Sequence, residues 1–378
     1  MQLSFKLFAL CSLALTAVAA PNRLLTVEKF DGLVNAHSYI VTLKPGVCKD
    51  SFINADPALR ESVTHADWTI IHAFAGIFSP NILNKLRASD AVEGIFEDGF
   101  VELHSEQTDA PWGLARTSAT GLLPVHNSPA ALNYTYAYPD EAQGQGVDIY
   151  VLDTGVNFNH HDFGGRATHG WAQSGWNATD TDGHGTHVAG IAAGARFGIA
   201  KEANIISVKV LQKYNGPVTP LIAGINWVAS TAPTTGRPSV ASMSVGSPGY
   251  RPLDEAAANL VSVGVPLVVA EGNYNKPAAR YSPARVESVI TVGAVDMHDS
   301  KAWFSNYGPE DITSASFETD SGTARKSGTS QAAPHVSGAV ALWLSQNPDA
   351  TPEELKRSLW STTGVVKKLC RSRLNRMS

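Results

Sequence analysis

An apolar run from Leu7 to Leu15 stands behind Lys6 and is followed by the small residues Ala17, Ala19 and Ala20 before Pro21. That order of a charge, a short greasy stretch and small residues predicts a cleavable secretory signal over residues 1–20. The run is too short to cross a bilayer, and no later stretch is apolar enough to do so, which predicts export with no membrane span. The destination expected is the extracellular space, with a vacuolar lumen as the alternative. Beyond the signal, alternation over Ser38 to Leu43 predicts a strand, Pro57 to His65 a helix, Trp68 to Phe74 a strand, Pro80 to Arg87 a helix and Ala91 to Phe96 a closing strand. These make a small α+β domain with its core in 37–104. The polar stretch Glu97 to Gln107 then gives way to a segment of different composition, so a processing boundary is expected near His104 to Glu106. The expected organisation is a signal (1–20), a small domain (21–104) and a large domain (105–378).

In the large domain the pattern changes. Val147 to Leu152, Ile205 to Leu211, Val240 to Val245, Pro266 to Ala270 and Val289 to Val295 are nearly continuous apolar runs separated by helix-like stretches. Runs of that kind suit strands buried on both faces, and helical crossovers between them imply a parallel sheet in a three-layer α/β fold. Ligands in such sheets bind beyond the carboxyl ends of the strands, where Asp153 and Asn273 fall.

Composition narrows the functions. With 43% hydrophobic and 17% charged residues the chain can build a packed core, and its formal net charge of -5 gives no general attraction to nucleic acid or an anionic membrane. The three cysteines, Cys11, Cys48 and Cys370, are too few and too scattered for a disulfide-stapled domain. Asn133 and Asn177 each open an Asn-x-Thr sequon, a candidate glycan acceptor.

Three segments carry candidate chemistry. Val151-Leu152-Asp153-Thr154-Gly155 ends a buried strand on a carboxylate, which is costly unless a partner accepts its charge. His184-Gly185-Thr186-His187-Val188-Ala189-Gly190 continues through Ile191 to Ala195 as a helix of small residues that must pack closely, with His184 at its start. Gly328-Thr329-Ser330-Gln331-Ala332-Ala333-Pro334-His335 leads into the apolar helix Val336 to Leu344 and puts Ser330 at a helix N-terminus, where backbone donors favour developing negative charge. A hydroxyl that attacks an amide needs a base, a group to orient the base, and donors for the oxyanion. Asp153, His184 and Ser330 supply the first parts, in the chain order Asp, His, Ser.

These segments resemble those of subtilisin-like serine proteases, and more narrowly the fungal proteinase K branch. The resemblance covers nearly the whole chain. Pro111-Trp112-Gly113-Leu114-Ala115-Arg116 resembles the start of the mature enzyme, and residues 37 to about 104 resemble the inhibitory, chaperone-like propeptide, a ferredoxin-like fold. The resemblance implies self-cleavage near His104 or Ser105, with the propeptide as the enzyme's own inhibitor. It also implies that Asn273 donates to the oxyanion, and that Ser244, Val245 and Gly246 with Ala270 and Gly272 grip an extended protein or peptide substrate. Asn215-Gly216-Pro217 matches the second gripping edge. Broad specificity and a monomer are expected, with no cofactor for the chemistry.

The chain departs from the family in four places. The stretch between Tyr307 and Ser327 lacks an additional strand, which in this branch carries an aspartate for a structural calcium, so that site cannot be carried over intact. The tail from Lys367 to Ser378 is short and basic. Gln331 replaces the Met usual after the nucleophile, and Glu271 replaces Ala at the pocket wall, where an inward carboxylate would favour basic side chains and an outward one is expected. Three other readings compete: a catalytically impaired relative, an aspartic protease pairing Asp153 with Asp320, and a metal hydrolase built on His160, His161, His184 and His187.

Overall fold

The computed structural model describes residues 24–30, 34–99, 104–119, 121–124, 128–300, 302, 305 and 312–361. The expected signal, Cys11, Cys370, the stretch 306–311 and the basic tail lie outside the described residues. The chain divides into two compact units, residues 1–101 and 102–378.

The first unit contains β1 (Val27–Glu28), β2 (Val34–Leu43), α1 (Lys49–Asn54), α2 (Pro57–Ser62), β3 (Val63–His65), β4 (Ala73–Ile77), α3 (Pro80–Arg87) and β5 (Val92–Gly99). Its strands form one sheet in the order β1-β5-β2-β4-β3, antiparallel except where β1 joins β5. Proline at the start of α2 and α3 follows Asp56 and Ser79, whose side chains accept from Ala58 N and Ile82 N, so both helices begin on a capped turn. Phe74, Phe78, Leu43, Ile95 and Leu86 close the core. Two expectations needed correction. Helix α2 stops at Ser62, because Val63, Thr64 and His65 are β-branched or aromatic and pair with β4 instead. The strand expected over Trp68 to Phe74 starts only at Ala73, and Ile70 in that apolar-looking run is 95% exposed. Phe74 and Phe78, edge to face at 6.2 Å, set the buried register.

The second unit runs through β6 (His104–Ala110), α4 (Trp112–Ser118), β7 (Tyr134–Pro139), β8 (Asp148–Asp153), β9 (Ala167–Ala172), α5 (His184–Ala193), β10 (Asn204–Lys209), α6 (Thr219–Thr231) and β11 (Ser239–Met243). There follow β12 (Ser247–Pro248), α7 (Arg251–Ser262), β13 (Leu267–Ala270), β14 (Tyr281–Ser282), β15 (Ile290–Val292), β16 (Ile312–Ala315), β17 (Thr323–Lys326), α8 (Thr329–Gln346) and α9 (Pro352–Ser361). Six strands make a parallel sheet in the order β15-β13-β11-β8-β10-β9. All five apolar runs named from the sequence are members. The sixth, β9, is an edge strand whose exposed Thr168 and His169 mute the hydrophobic signal.

The layers follow from the period of two along the strands. On β8, Ile149 and Val151 face a core shared with α5, α8 and α9, while Tyr150 and Leu152 face a second core shared with α6 and α7. Burying each such side chain contributes about 1.5–3 kcal/mol. The chain leaves β8 toward β10 on one side and returns as β11 on the other, so the topological switch point lies at the carboxyl end of β8, beside Asp153. Between β15 and α8 no further strand joins this sheet among the described residues. β16 and β17 pair with each other, antiparallel.

Small residues let α5 and α8 approach. A Cβ on Gly338 would lie 2.6 Å from Ile199 Cβ and 2.7 Å from Ala192 O, and one on Gly190 would strike Ser314 Oγ. Gly338→Ala is therefore expected to destabilise by about 1–3 kcal/mol through overpacking, read as a lower urea midpoint. Gln331, 2% exposed, buries both atoms of its side-chain amide with no hydrogen-bond partner. Gln331→Met, of similar volume and without those polar atoms, is expected to raise stability by about 1–3 kcal/mol in the same assay.

Candidate functional site

Asp153 ends β8, with its side chain 1% exposed. His184 opens α5, and its Nδ1 stands 2.8 Å from Asp153 Oδ1 and 3.0 Å from Oδ2. Thr154 N also donates to Asp153 Oδ1 at 2.7 Å. The buried carboxylate thus has both a charge-assisted partner and a backbone donor, which answers the cost of its burial. Burial works against the His184 imidazolium, but the charge of Asp153 and its hydrogen bond outweigh that effect and raise the His184 pKa above its ordinary 6.5. Lys326 opposes the rise and Asp182 assists it.

Ser330 is the second residue of α8, after Gly328 at φ 144°, which lies in the region that side chains rarely adopt. Pro334 sits inside the same helix and has no N–H to offer the Ser330 carbonyl four residues back. That carbonyl instead accepts from Ser244 Oγ at 2.9 Å, and Ser330 Oγ donates in return to Ser244 O at 3.1 Å. The end of β11 and the start of α8 are stitched together at the candidate nucleophile.

Asn273 follows β13. Its Oδ1 accepts from Thr329 N and from Thr329 Oγ1, both at 2.9 Å, which settles the amide orientation and leaves Nδ2 on the other side. Thr329 Oγ1 also accepts from Gly272 N at 3.2 Å. Nothing in the sequence pattern singled out Thr329 for this role, because its bonds run to a segment 56 residues away.

A cleft of about 300 Å³ gathers these groups. His184, Ser330 and Asn273 line it together with Ser244, Val245, Gly246, Ala270 and Gly272, and Asn215 and Gly216 lie on its wall as well. Of the catalytic and substrate-gripping residues named from the sequence, Asp153 and Pro217 are not on this cleft, and Asp153 backs it through His184. Glu271 N donates to Val292 O at 2.9 Å, and the Glu271 carboxylate reaches over Gly293, just past the end of the neighbouring strand.

Two of the competing sets are not brought together. Asp320 is exposed between β16 and β17 and accepts from Asn157 Nδ2 at 3.1 Å, while Asp153 is buried against His184, so these carboxylates cannot share a proton. Of the four histidines, His160 is bonded to Gly322 O at 2.8 Å, His187 to Ile312 O at 3.0 Å and His184 to Asp153. Burial holds the His187 pKa down to about 3. Among the described residues no group of three or more His, Cys, Asp or Glu side chains is placed to hold a metal ion. No helix among the described residues is long and apolar enough to cross a membrane.

A family model described as Subtilase family matches residues 144–377. Proteinase R of Parengyodontium album is 39% identical over 326 residues, which cover 83% of this chain and 80% of that protein. An extracellular serine proteinase of Thermus sp. (strain Rt41A) is 37% identical over 370 residues, covering 92% and 87%. Among solved structures, a cold adapted subtilisin-like serine proteinase superposes with a TM-score of 0.60 at 40% identity, covering 66% of this chain and 90% of its own. The fold, with its parallel sheet and switch point at Asp153, and these relatives lead to one conclusion: the chain belongs to the subtilase family and is a subtilisin-like serine endopeptidase.

Proposed function

We propose that the chain is the secreted precursor of a broad-specificity endopeptidase that works through Asp153, His184 and Ser330, with Asn273 as an oxyanion donor. The observation that carries this reading is the buried Asp153–His184 pair at 2.8 Å, on a cleft that Ser330 and Asn273 share. In this mechanism the Ser330 hydroxyl leaves the Ser244 carbonyl and gives its proton to His184 Nε2 as Oγ attacks the peptide carbonyl carbon. Asp153 stays ionised and holds the ring by Nδ1. The oxyanion takes a hydrogen bond from Asn273 Nδ2, an amide already oriented by Thr329. His184 then passes the proton to the leaving amine, and water repeats the cycle to free the acyl group from Ser330.

Substrate would lie extended along Ser244 to Gly246 and Ala270 to Gly272, gripped through its backbone, which is the basis for broad specificity. Maturation would cut the chain near His104 or Ser105, at the first residues of β6, and the released 21–104 segment would act as inhibitor. Asn133 and Asn177 are exposed and available as glycan acceptors in the secretory route. The second reading is an impaired relative, and the Ser330 hydroxyl bonded to Ser244 is the observation in its favour.

Expressing the full precursor and its Ser330→Ala counterpart, and treating both with a fluorophosphonate, separates the two. The endopeptidase reading expects labelling of the wild type alone, at a size reduced by loss of the segment up to about His104, with at least about a thousandfold loss of turnover in the variant. An unlabelled, full-length wild type favours the impaired relative. Because the free imidazole is the working form and its pKa is raised, kcat/KM is expected to climb with pH through a midpoint above 6.5. Lys326 disfavours the imidazolium, so Lys326→Gln is expected to move that midpoint upward in a pH profile of peptide hydrolysis. An acidic optimum, near about pH 3, would contradict a histidine base.

A further inference from the structure

Helix α5 begins without a conventional cap. Its N-cap residue is Gly183, which has no side chain to accept from the first turn. Asp180, buried at 8% exposure, does this work from outside the helix. Its Oδ1 accepts from Gly183 N at 2.9 Å, Asp182 N at 3.0 Å and Thr154 Oγ1 at 2.9 Å. Its Oδ2 accepts from Thr186 N at 2.9 Å and Thr186 Oγ1 at 2.6 Å. Thr154 Oγ1 in turn accepts from Gly185 N at 2.9 Å, and Thr154 is the residue whose own N–H holds Asp153 Oδ1. The carboxylate therefore ties Gly183 and Thr186 to Thr154, the residue that follows Asp153, while Thr154 itself holds Gly185, so both residues that flank His184 are fastened to the end of β8.

We propose that Asp180 is a positioning residue for catalysis: its carboxylate locks the start of α5 to the end of β8 and so sets the geometry of the Asp153–His184 pair. The inference rests on the reading of His184 as the base. The chemistry requires a carboxylate at this position, because every partner is a donor. Thr186 Oγ1 already accepts from Asn157 N at 3.0 Å, so its own hydrogen must go to Asp180. An amide in place of Asp180 keeps an oxygen for one side and turns an NH2 toward the donors on the other. With three donors on Oδ1, the side that loses is the Thr186 side, and the first turn of α5 must shift to relieve donor facing donor. A misplacement of about 1 Å at a reacting group costs up to about a hundredfold in rate. Asp180→Asn also removes a negative charge bonded to Gly183 N, beside His184, so the loss of kcat per site, and not the midpoint alone, reads the geometry of the pair.

The test uses the full chain in wild-type, Asp180→Asn and Asp148→Asn forms, with peptide hydrolysis expressed per fluorophosphonate-titrated site across pH. Asp148 is a buried carboxylate at the opposite end of β8, bonded to Arg237 and Asn204, and serves as a control for loss of stability alone. For Asp180→Asn the expected result is a kcat per site lower by about tenfold or more with KM nearly unchanged, and a pH midpoint displaced downward toward the ordinary histidine value. Asp148→Asn is expected to keep both, even where its urea midpoint falls. If Asp180→Asn yields too little folded protein, Thr186→Val, which removes one donor to the same carboxylate, is expected to show the same displacement to a smaller degree. Wild-type kcat per site and midpoint in Asp180→Asn, or in Thr186→Val when it stands in, overturns the role of Asp180 alone. A wild type that fails to label overturns the base assignment itself, and with it this inference.

Discussion

A buried carboxylate at the end of the central strand is the constraint around which the second unit is organised. Asp153 is withdrawn from water on β8, and its charge is tolerable only because His184 and Thr154 N meet it there. That demand places the start of α5 over the carboxyl end of β8. The strand order then brings β11 and β13 alongside, so that Ser244 and Asn273 arrive at the same edge. The cleft exists where it does because the chain reverses direction about β8, leaving a crevice that no crossover covers.

Close packing keeps this arrangement from drifting. α5 carries Gly185 and Gly190 where a larger residue would meet the backbone of Gly155, Ser314 or Ala315, and α8 carries Gly338 against Ile199 and Ala192. The two helices that hold His184 and Ser330 can therefore lie nearly in backbone contact with each other and with the sheet. Pro334 adds a local device. By withholding an N–H it frees the Ser330 carbonyl to accept from Ser244, so a helix defect becomes a tie between two walls of the cleft. The exposed turn that carries Asp320, and His160, have their hydrogen bonds with ordinary neighbours and take no part in this framework.

Much of this was legible in the linear pattern. The five apolar runs became five strands of the parallel sheet, Pro80 to Arg87 became α3 without change, and the segments around Asp153, His184 and Ser330 marked the residues that meet or border the cleft. Sequence alone could determine these because strand burial and helix capping are local properties, written in residue type and spacing. The misses have a common cause. Ile70 and Ile71 look like strand residues but sit exposed, since the register of β4 is set by Phe74 against Phe78 and by pairing with β2. Val63 to His65 left the helix because a distant strand offered them a ladder.

What only the tertiary structure decided are the contacts between segments far apart in the chain. The orientation of the Asn273 amide is imposed by Thr329, the hydroxyl of Ser330 is held by Ser244, and the start of α5 is tied to the end of β8 through Thr154, which bonds Gly185 N and the Asp180 carboxylate. None of these has a period or a spacing, because each is a hydrogen bond whose partner is chosen by the fold. The sequence determined which side chains stand at the ends of β8 and β13 and at the starts of α5 and α8. The packed structure decided their directions, since a hydrogen bond depends on angles and tenths of an ångström that no pattern of residue types encodes.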